Sequence, residues 1–334
     1  MNGTVGVEER STYPFGQADG CVSPALRSYA PCQPLLSSSV SLEKESRRMS
    51  APVKTEKFAA FTGIQVGDEP LDFGDGLFLQ KAHLKFEMPF SLIKPKLKST
   101  DRREVWLLPG QDFDSIESEL HFMENSKYLN DFDKTLRAFV FMLRIFVNPE
   151  VLNPIISNTT FSTIIDVALA GANLLPRETQ TRHIIFKLAN ESADSRSMAD
   201  AKQAWPSIYQ LYTESSEFRL AADAFDSVHF VINPGLALVS IWGAIESIFS
   251  PSTSELKFRV SSLVSSYLFR HDRHENQKNI AKMYDKRSSA AHGRTDIASK
   301  DLTASVNLLR LILIKIIQDG RVPSKDELEQ NLFR

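Results

Sequence analysis

The chain of 334 residues holds only two cysteines, Cys21 and Cys32. Both sit in a Ser-, Pro- and Gly-rich N-terminal stretch, and two thiols outside any packed element build neither a disulfide framework nor a zinc site. They are expected to be free thiols in a reducing compartment. Long apolar runs are also missing. The nearest, "LLRLILIKII" from Leu308 to Ile317, is about half the length of a membrane span and is interrupted by Arg310 and Lys315. The opening "MNGTVGVEER" carries acids and no apolar block, unlike a signal peptide. These absences predict a cytoplasmic protein with no membrane partner. Charge of one sign is lacking too: the formal net charge is −2, so bulk attraction to a polyanion is excluded and only a local patch can hold one. No P-loop, dinucleotide fingerprint, nucleophile elbow or kinase motif occurs, and no cofactor is expected.

What is present divides into four stretches. The hydrophobic and charged fractions, 42% and 24%, are ordinary for a globular protein, and the length suits two or three domains. Residues 1–55 show no period and read as a disordered leader, with Met49 an alternative translation start. Residues 56–110 read as β-rich: "KFAAFTGIQV" and "LFLQKAHLKFEMPF" are aromatic, partly alternating runs, and Asp75-Gly76 between them is a hairpin signal. Lys94, Lys96, Lys98, Arg102 and Arg103 follow in a basic stretch that reads as a solvated connection. Residues 111–231 read as helical, with Leu129, Phe132, Leu136, Phe139, Val140 and Leu143 spaced as one helix face up to Asn148-Pro149. Further helices are expected at Ile164–Leu175, Thr181–Leu188 and Trp205–Phe225.

"INPG" (Ile232–Gly235) marks a boundary, and residues 232–334 read as four amphipathic helices. These cover Leu236–Phe249, a segment capped by Ser254, Glu275–Ala291 and a last helix carrying Leu302, Val306, Leu309, Leu313 and Ile316. The fold class expected is α+β and predominantly α: a small β-rich N-terminal region, a helical middle and a C-terminal helical bundle.

Chemistry concentrates in "MYDKRSSAAHGR", Met283 to Arg294, where Arg287 and His292 form an R-x4-H pair. Residues five apart on a helix lie about 140° apart, so the pair shares no face. Gly293 supplies a helix stop, and an unwound last turn is expected to swing the imidazole back toward the guanidinium. A base titrating near neutrality beside a fixed cation suits transesterification of RNA, with a 2′,3′-cyclic phosphate and a 5′-OH as products. The pair alone carries little weight. With 20 arginines and 7 histidines, chance gives about 0.4 such matches, and Arg177/His183 is a looser second instance. Arg287 can equally pair with a carboxylate to join helices, with His292 capping carbonyls at the helix end.

The wider context resembles a known family. "YDKRSSAAHG" is similar to the Y-x-x-R-S-x-x-x-H-G signature of the Apea-like branch of the HEPN superfamily, and "ALVSIWGAIESIF" with "SELKFRVSSLVSSYLF" resembles its preceding glutamate-bearing helix and the helix after it. The resemblance spans about Ile232–Gln318. It implies a HEPN four-helix domain, usually dimeric, and in many members a metal-independent endoribonuclease of toxin–antitoxin or phage-defence systems. On that basis Arg287 and His292 are the catalytic pair, Glu246 orients Arg287, and Ser288 fills the polar position after the arginine, where many active members carry Asn, Asp or His. RNA, a second copy of the chain and an antitoxin are the implied partners. A non-catalytic module binding RNA, a nucleotide or a protein is the alternative.

Local charge supports an RNA track. Lys257 to Lys300 carries ten Lys or Arg against four Asp or Glu, and Arg273, Lys282, Lys286 and Arg294 are its candidate backbone-binding members, with Arg259, Arg270 and Lys278 beside them. The competing reading is a solvated helix face. His271 and His274 lack a third clustered ligand, so no metal is expected. His83, His121 and His229 are isolated and read as packing or surface residues.

Overall fold

The computed structural model describes residues 55–84, 116–163, 173–178, 180, 182–184, 195–249, 255–293 and 297–332. The leader up to residue 54 with its cysteines and Met49, the basic stretch around 94–103, the Ser254 cap and Arg294 lie outside the described residues. The described part is mixed α and β, with a small antiparallel sheet and, among those residues, eight α-helices.

The sheet is built from β1 (Lys57–Phe61), β2 (Leu71–Asp72), β3 (Leu77–Leu84), β4 (Ile116–Phe122), β5 (Ile155–Ser157) and β6 (Leu175–Pro176), in the order β2-β3-β4-β1-β5-β6. The hairpin signal is realised as a turn. The Leu77 amide donates to the Gly74 carbonyl at 3.1 Å, and Asp75 and Gly76 take φ of 51° and 74°, the two positive values a type I′ turn requires. Strand alternation separates two apolar faces. Ala59, Phe61, Leu79, Leu120 and Phe122 enter the main core, while Phe58, Ala60, Ile155 and Phe161 form a smaller cluster.

One helical expectation gives way to a strand, and two others depart from helix at their described residues, with 164–172, 181 and 185–188 lying outside the described residues. Ile116–Phe122, read as helix, is the strand β4 between β1 and β3. Its Ile-x-Ser-x-Leu-x-Phe alternation has the strand period of two. Leu175, read as the end of a helix, pairs with Ile156 in β6, consistent with Pro176 forcing the residue before it out of helical backbone. Arg182–Ile184 is irregular, because the His183 and Ile184 amides both donate to the His229 carbonyl, at 2.9 and 3.3 Å. The sheet therefore recruits strands well past residue 110.

The helices are α1 (Phe132–Phe146), α2 (Ser195–Glu214), α3 (Ser216–Ser227), α4 (Pro234–Phe249), α5 (Leu256–Leu268), α6 (Arg273–Ala291), α7 (Ser299–Asp319) and α8 (Lys325–Leu332). α1 is buried almost all round, against the aromatic residues of β1 and of α2 and α3. Between α2 and α3, Ser215 accepts the Phe218 amide at 3.1 Å as an N-cap. Asn233 caps α4, its side-chain oxygen taking the Gly235 and Leu236 amides at 2.8 and 3.2 Å, with Pro234 in the first turn. The α7 stripe of Leu302, Val306, Leu309, Leu313 and Ile316 is buried as expected, and Gly320, φ 68°, ends the helix.

α4 packs against α3, α5, α6 and α7, so the C-terminal helices share their core with the rest of the protein. One hydrophobic cluster runs from Ala59 to Leu328, and Pro52–Arg334 clusters as one unit. That cluster takes residues from both sides of the limits drawn near 110 and 231. α8 was not anticipated, and it packs on α5.

Candidate functional site

α4 and α6 run antiparallel. Gly235, at the start of α4, faces Ala290 near the end of α6, whereas Glu246, at the far end of α4, reaches Tyr284 and Arg287. A Cβ on Gly235 would crowd its own cap oxygen on Asn233 at 3.0 Å and meet Ala290 Cβ at an ordinary contact of 3.7 Å.

Glu246 is shared between two donors. Its Oε1 accepts the Tyr284 hydroxyl at 2.7 Å, and its Oε2 accepts Arg287 Nη2 at 3.0 Å. The Tyr284 ring packs edge-on to Trp242, with centroids 5.2 Å apart, and lies 5.5 Å from the Arg287 guanidinium carbon. Trp242 is fixed in turn, because its indole N–H donates to Ser305 Oγ at 3.1 Å. Burial first, and then the Glu246 carboxylate, push the Tyr284 phenol up to about 12, so it remains a donor at neutral pH. Arg287 Nε is buried without a partner, although 24% of the side chain is exposed. The expected pairing of Glu246 with Arg287 is therefore present, with Tyr284 as a third member.

His292 does not join them within one chain. α6 stays helical through Ala291, and the His292 amide still donates to the Ser288 carbonyl at 3.2 Å. The expected unwinding of the last turn is absent, since Gly293 alone takes the left-handed value, φ 81°. Lys278, Lys282 and His292 are exposed and fall within about 80° of one another around α6, with Arg287 about 140–180° away. Ser288 contributes its carbonyl to the helix end.

The other expected RNA contacts separate. Lys282 is exposed. Lys286 lies 3.6 Å from Asp301. Arg273 is turned inward, donating to the carbonyls of Phe269 and Asn331 at 3.1 and 3.2 Å, where it ties the end of α5 to α8. His271 and His274 are exposed, and among the described residues no three His, Cys, Asp or Glu side chains gather as a metal site.

A second charged cluster escaped the sequence reading. Arg144 on α1 is fully buried and donates to Asp226 at 2.5 Å, Glu178 at 2.6 Å and the Val151 carbonyl at 2.9 Å. Burial opposes its charge, but Asp226 and Glu178 outweigh it and hold the guanidinium above its ordinary value. Arg182 lies nearby, over Phe230, its ionisation lowered to about 10 by burial and then by Arg144. His229 is buried and lowered to about 4, by burial first, while its Nδ1 meets the Ile184 carbonyl at 2.9 Å. His121, by contrast, stacks on Phe58 at 4.4 Å. A cleft of about 640 Å³ opens beside the cluster, lined by Arg137, Asn153, Glu178, Asp223, Asp226 and Phe230 among others. Arg177, of the looser arginine–histidine pair, lies on its rim and pairs with Asp133 at 2.6 Å.

No family model, curated protein or solved structure matches the chain. Among the described residues no helix is long and apolar enough to cross a membrane.

Proposed function

We propose that this chain is a metal-independent endoribonuclease of the toxin or phage-defence kind, acting in the cytoplasm as a homodimer through a C-terminal bundle of HEPN type. The observation that carries the reading is the Arg287–Glu246 pair at 3.0 Å, which joins α6, the signature helix, to α4, the earlier glutamate-bearing helix, as the family resemblance implies. Support also comes from His292 standing exposed at the end of that helix, with Lys278 and Lys282 on its side of α6.

In the proposed reaction, the imidazole of His292 takes the proton of a ribose 2′-OH. The 2′-oxygen bonds to phosphorus, Arg287 stabilises the added charge on the phosphoryl oxygens, and the P–O5′ bond breaks. The leaving 5′-oxygen takes a proton from an imidazolium. Because Arg287 and His292 of one chain face different ways, the site is completed between two copies, each lending its histidine to the other's arginine.

The separation of the pair within one chain favours a second reading, a non-catalytic module that binds RNA, a nucleotide or a protein such as an antitoxin. Expression separates the two. Toxicity that disappears with Arg287→Ala and with His292→Ala, together with RNA cleavage that survives EDTA and leaves cyclic phosphate ends, supports the nuclease. RNA binding without cleavage supports the module.

A further inference from the structure

Arginine meets a carboxylate best through a two-point fork, with Nε–H and Nη2–H donating to the two carboxylate oxygens. Arg287 and Glu246 make only one point of such a fork. Oε2 is on Nη2 at 3.0 Å, but Oε1 is held by the Tyr284 hydroxyl at 2.7 Å, and Arg287 Nε is left buried without a partner. A buried orphan donor is unfavourable, so something must keep the carboxylate from turning onto it. The tyrosine is the group in position to do so. Its ring is wedged against Trp242, and its phenol stays protonated.

We infer that Tyr284 is a positioning residue that divides Glu246 between two donors, and so holds the Arg287 guanidinium at one point and leaves it free to swing onto a phosphate. The functional consequence rests on the ribonuclease reading; the geometric consequence does not. Without the hydroxyl, Oε1 turns to Nε, the fork closes, and the guanidinium is tied to Glu246 in the ground state. A purely structural tyrosine would loosen Arg287 when its hydroxyl is removed, whereas this one should tighten it.

The test is Tyr284→Phe, which keeps the ring against Trp242, alone and combined with Glu246→Gln. A glutamine amide has one acceptor oxygen and cannot close the fork. Crystal structures of the full chain show whether Nε donates to residue 246, and cleavage of a fluorescent single-stranded RNA of mixed sequence supplies the rate. Tyr284→Phe is expected to form the Nε–Glu246 bond and to lower kcat about tenfold to a hundredfold, the strength of one added charge-assisted bond, with KM little changed. The double variant is expected to recover much of that loss. An unaltered one-point contact in Tyr284→Phe overturns the inference, as does a double variant slower than Tyr284→Phe alone. If the unaltered chain cleaves no RNA but Tyr284→Phe still closes the fork, the positioning inference stands and the ribonuclease reading falls.

Discussion

Two arginines anchor this protein, and they are held in opposite ways. Arg144 is fully buried, with Nη1 on Asp226, Nη2 on Glu178 and Nε on the Val151 carbonyl. Arg287 is partly exposed, touches one oxygen of Glu246, and has an orphan Nε. Each nitrogen of the buried Arg144 guanidinium already has a partner, so Arg144 works as a clamp joining α1, α3 and the chain around Val151 and Glu178. A guanidinium with an unpartnered nitrogen keeps donors in reserve. A buried charge stripped of its partners is among the most damaging changes a fold can suffer, whereas a half-exposed pair contributes modestly.

The sharpest break of this comparison is Arg144→Leu. It strands Glu178 and Asp226 and is expected to cost about 3–5 kcal/mol in urea unfolding. A loss no greater than that of Arg287→Ala would erase the distinction. A smaller effect concerns pH. His229 has a folded-state ionisation near 4, against about 6.5 when unfolded. Because the unfolded chain binds the proton first, this stability is complete above pH 6.5 and is lost as pH falls toward 4. Between pH 7.5 and 5 the loss is about 2 kcal/mol. Glu178, raised by burial first, works in the opposite sense within the same cluster. His229→Asn, which can keep a donor toward the Ile184 carbonyl, should flatten the slope in denaturation run across that range.

Arg287→Ala is next in size. It is expected to lower stability by about 1–2 kcal/mol, because Glu246 keeps Tyr284 as a donor, while abolishing RNA cleavage. Unimpaired cleavage would remove Arg287 from the chemistry. Smallest for the fold is the pair Lys278→Glu and Lys282→Glu on exposed α6. Stability should stay within about 0.5 kcal/mol, while RNA affinity in a filter-binding titration falls and its salt dependence weakens.

The arginines also differ in how legible they were. Arg287 stood in a local motif, and its link to Glu246 followed from a family resemblance. The third member, Tyr284, lies one turn before Arg287, but nothing local in the sequence gives its hydroxyl a partner on α4. Arg144 is the single charged residue between Arg137 and Glu150, within an otherwise apolar stretch. That is a sign of a buried cation in need of partners, but those partners lie 34 and 82 residues away along the chain. Other segments carry similar local signals. The alternation in Ile116–Phe122 was masked by the helical periodicity that follows it. The capping box that opens α8 was readable as Ser324-x-x-Glu327: the Glu327 amide donates to Ser324 Oγ at 3.3 Å, and the Ser324 amide to Glu327 Oε2 at 2.9 Å. The run of α7 was legible throughout because its apolar stripe and its glycine stop agree.

The central claim is that the loosely held arginine does chemistry, and cleavage of RNA by the purified full chain in EDTA tests it most directly. The account predicts fragments ending in 2′,3′-cyclic phosphate and 5′-OH from the unaltered protein, and none from Arg287→Ala or His292→Ala. RNA left intact by the folded, dimeric protein, or cut equally well by both variants, would contradict it.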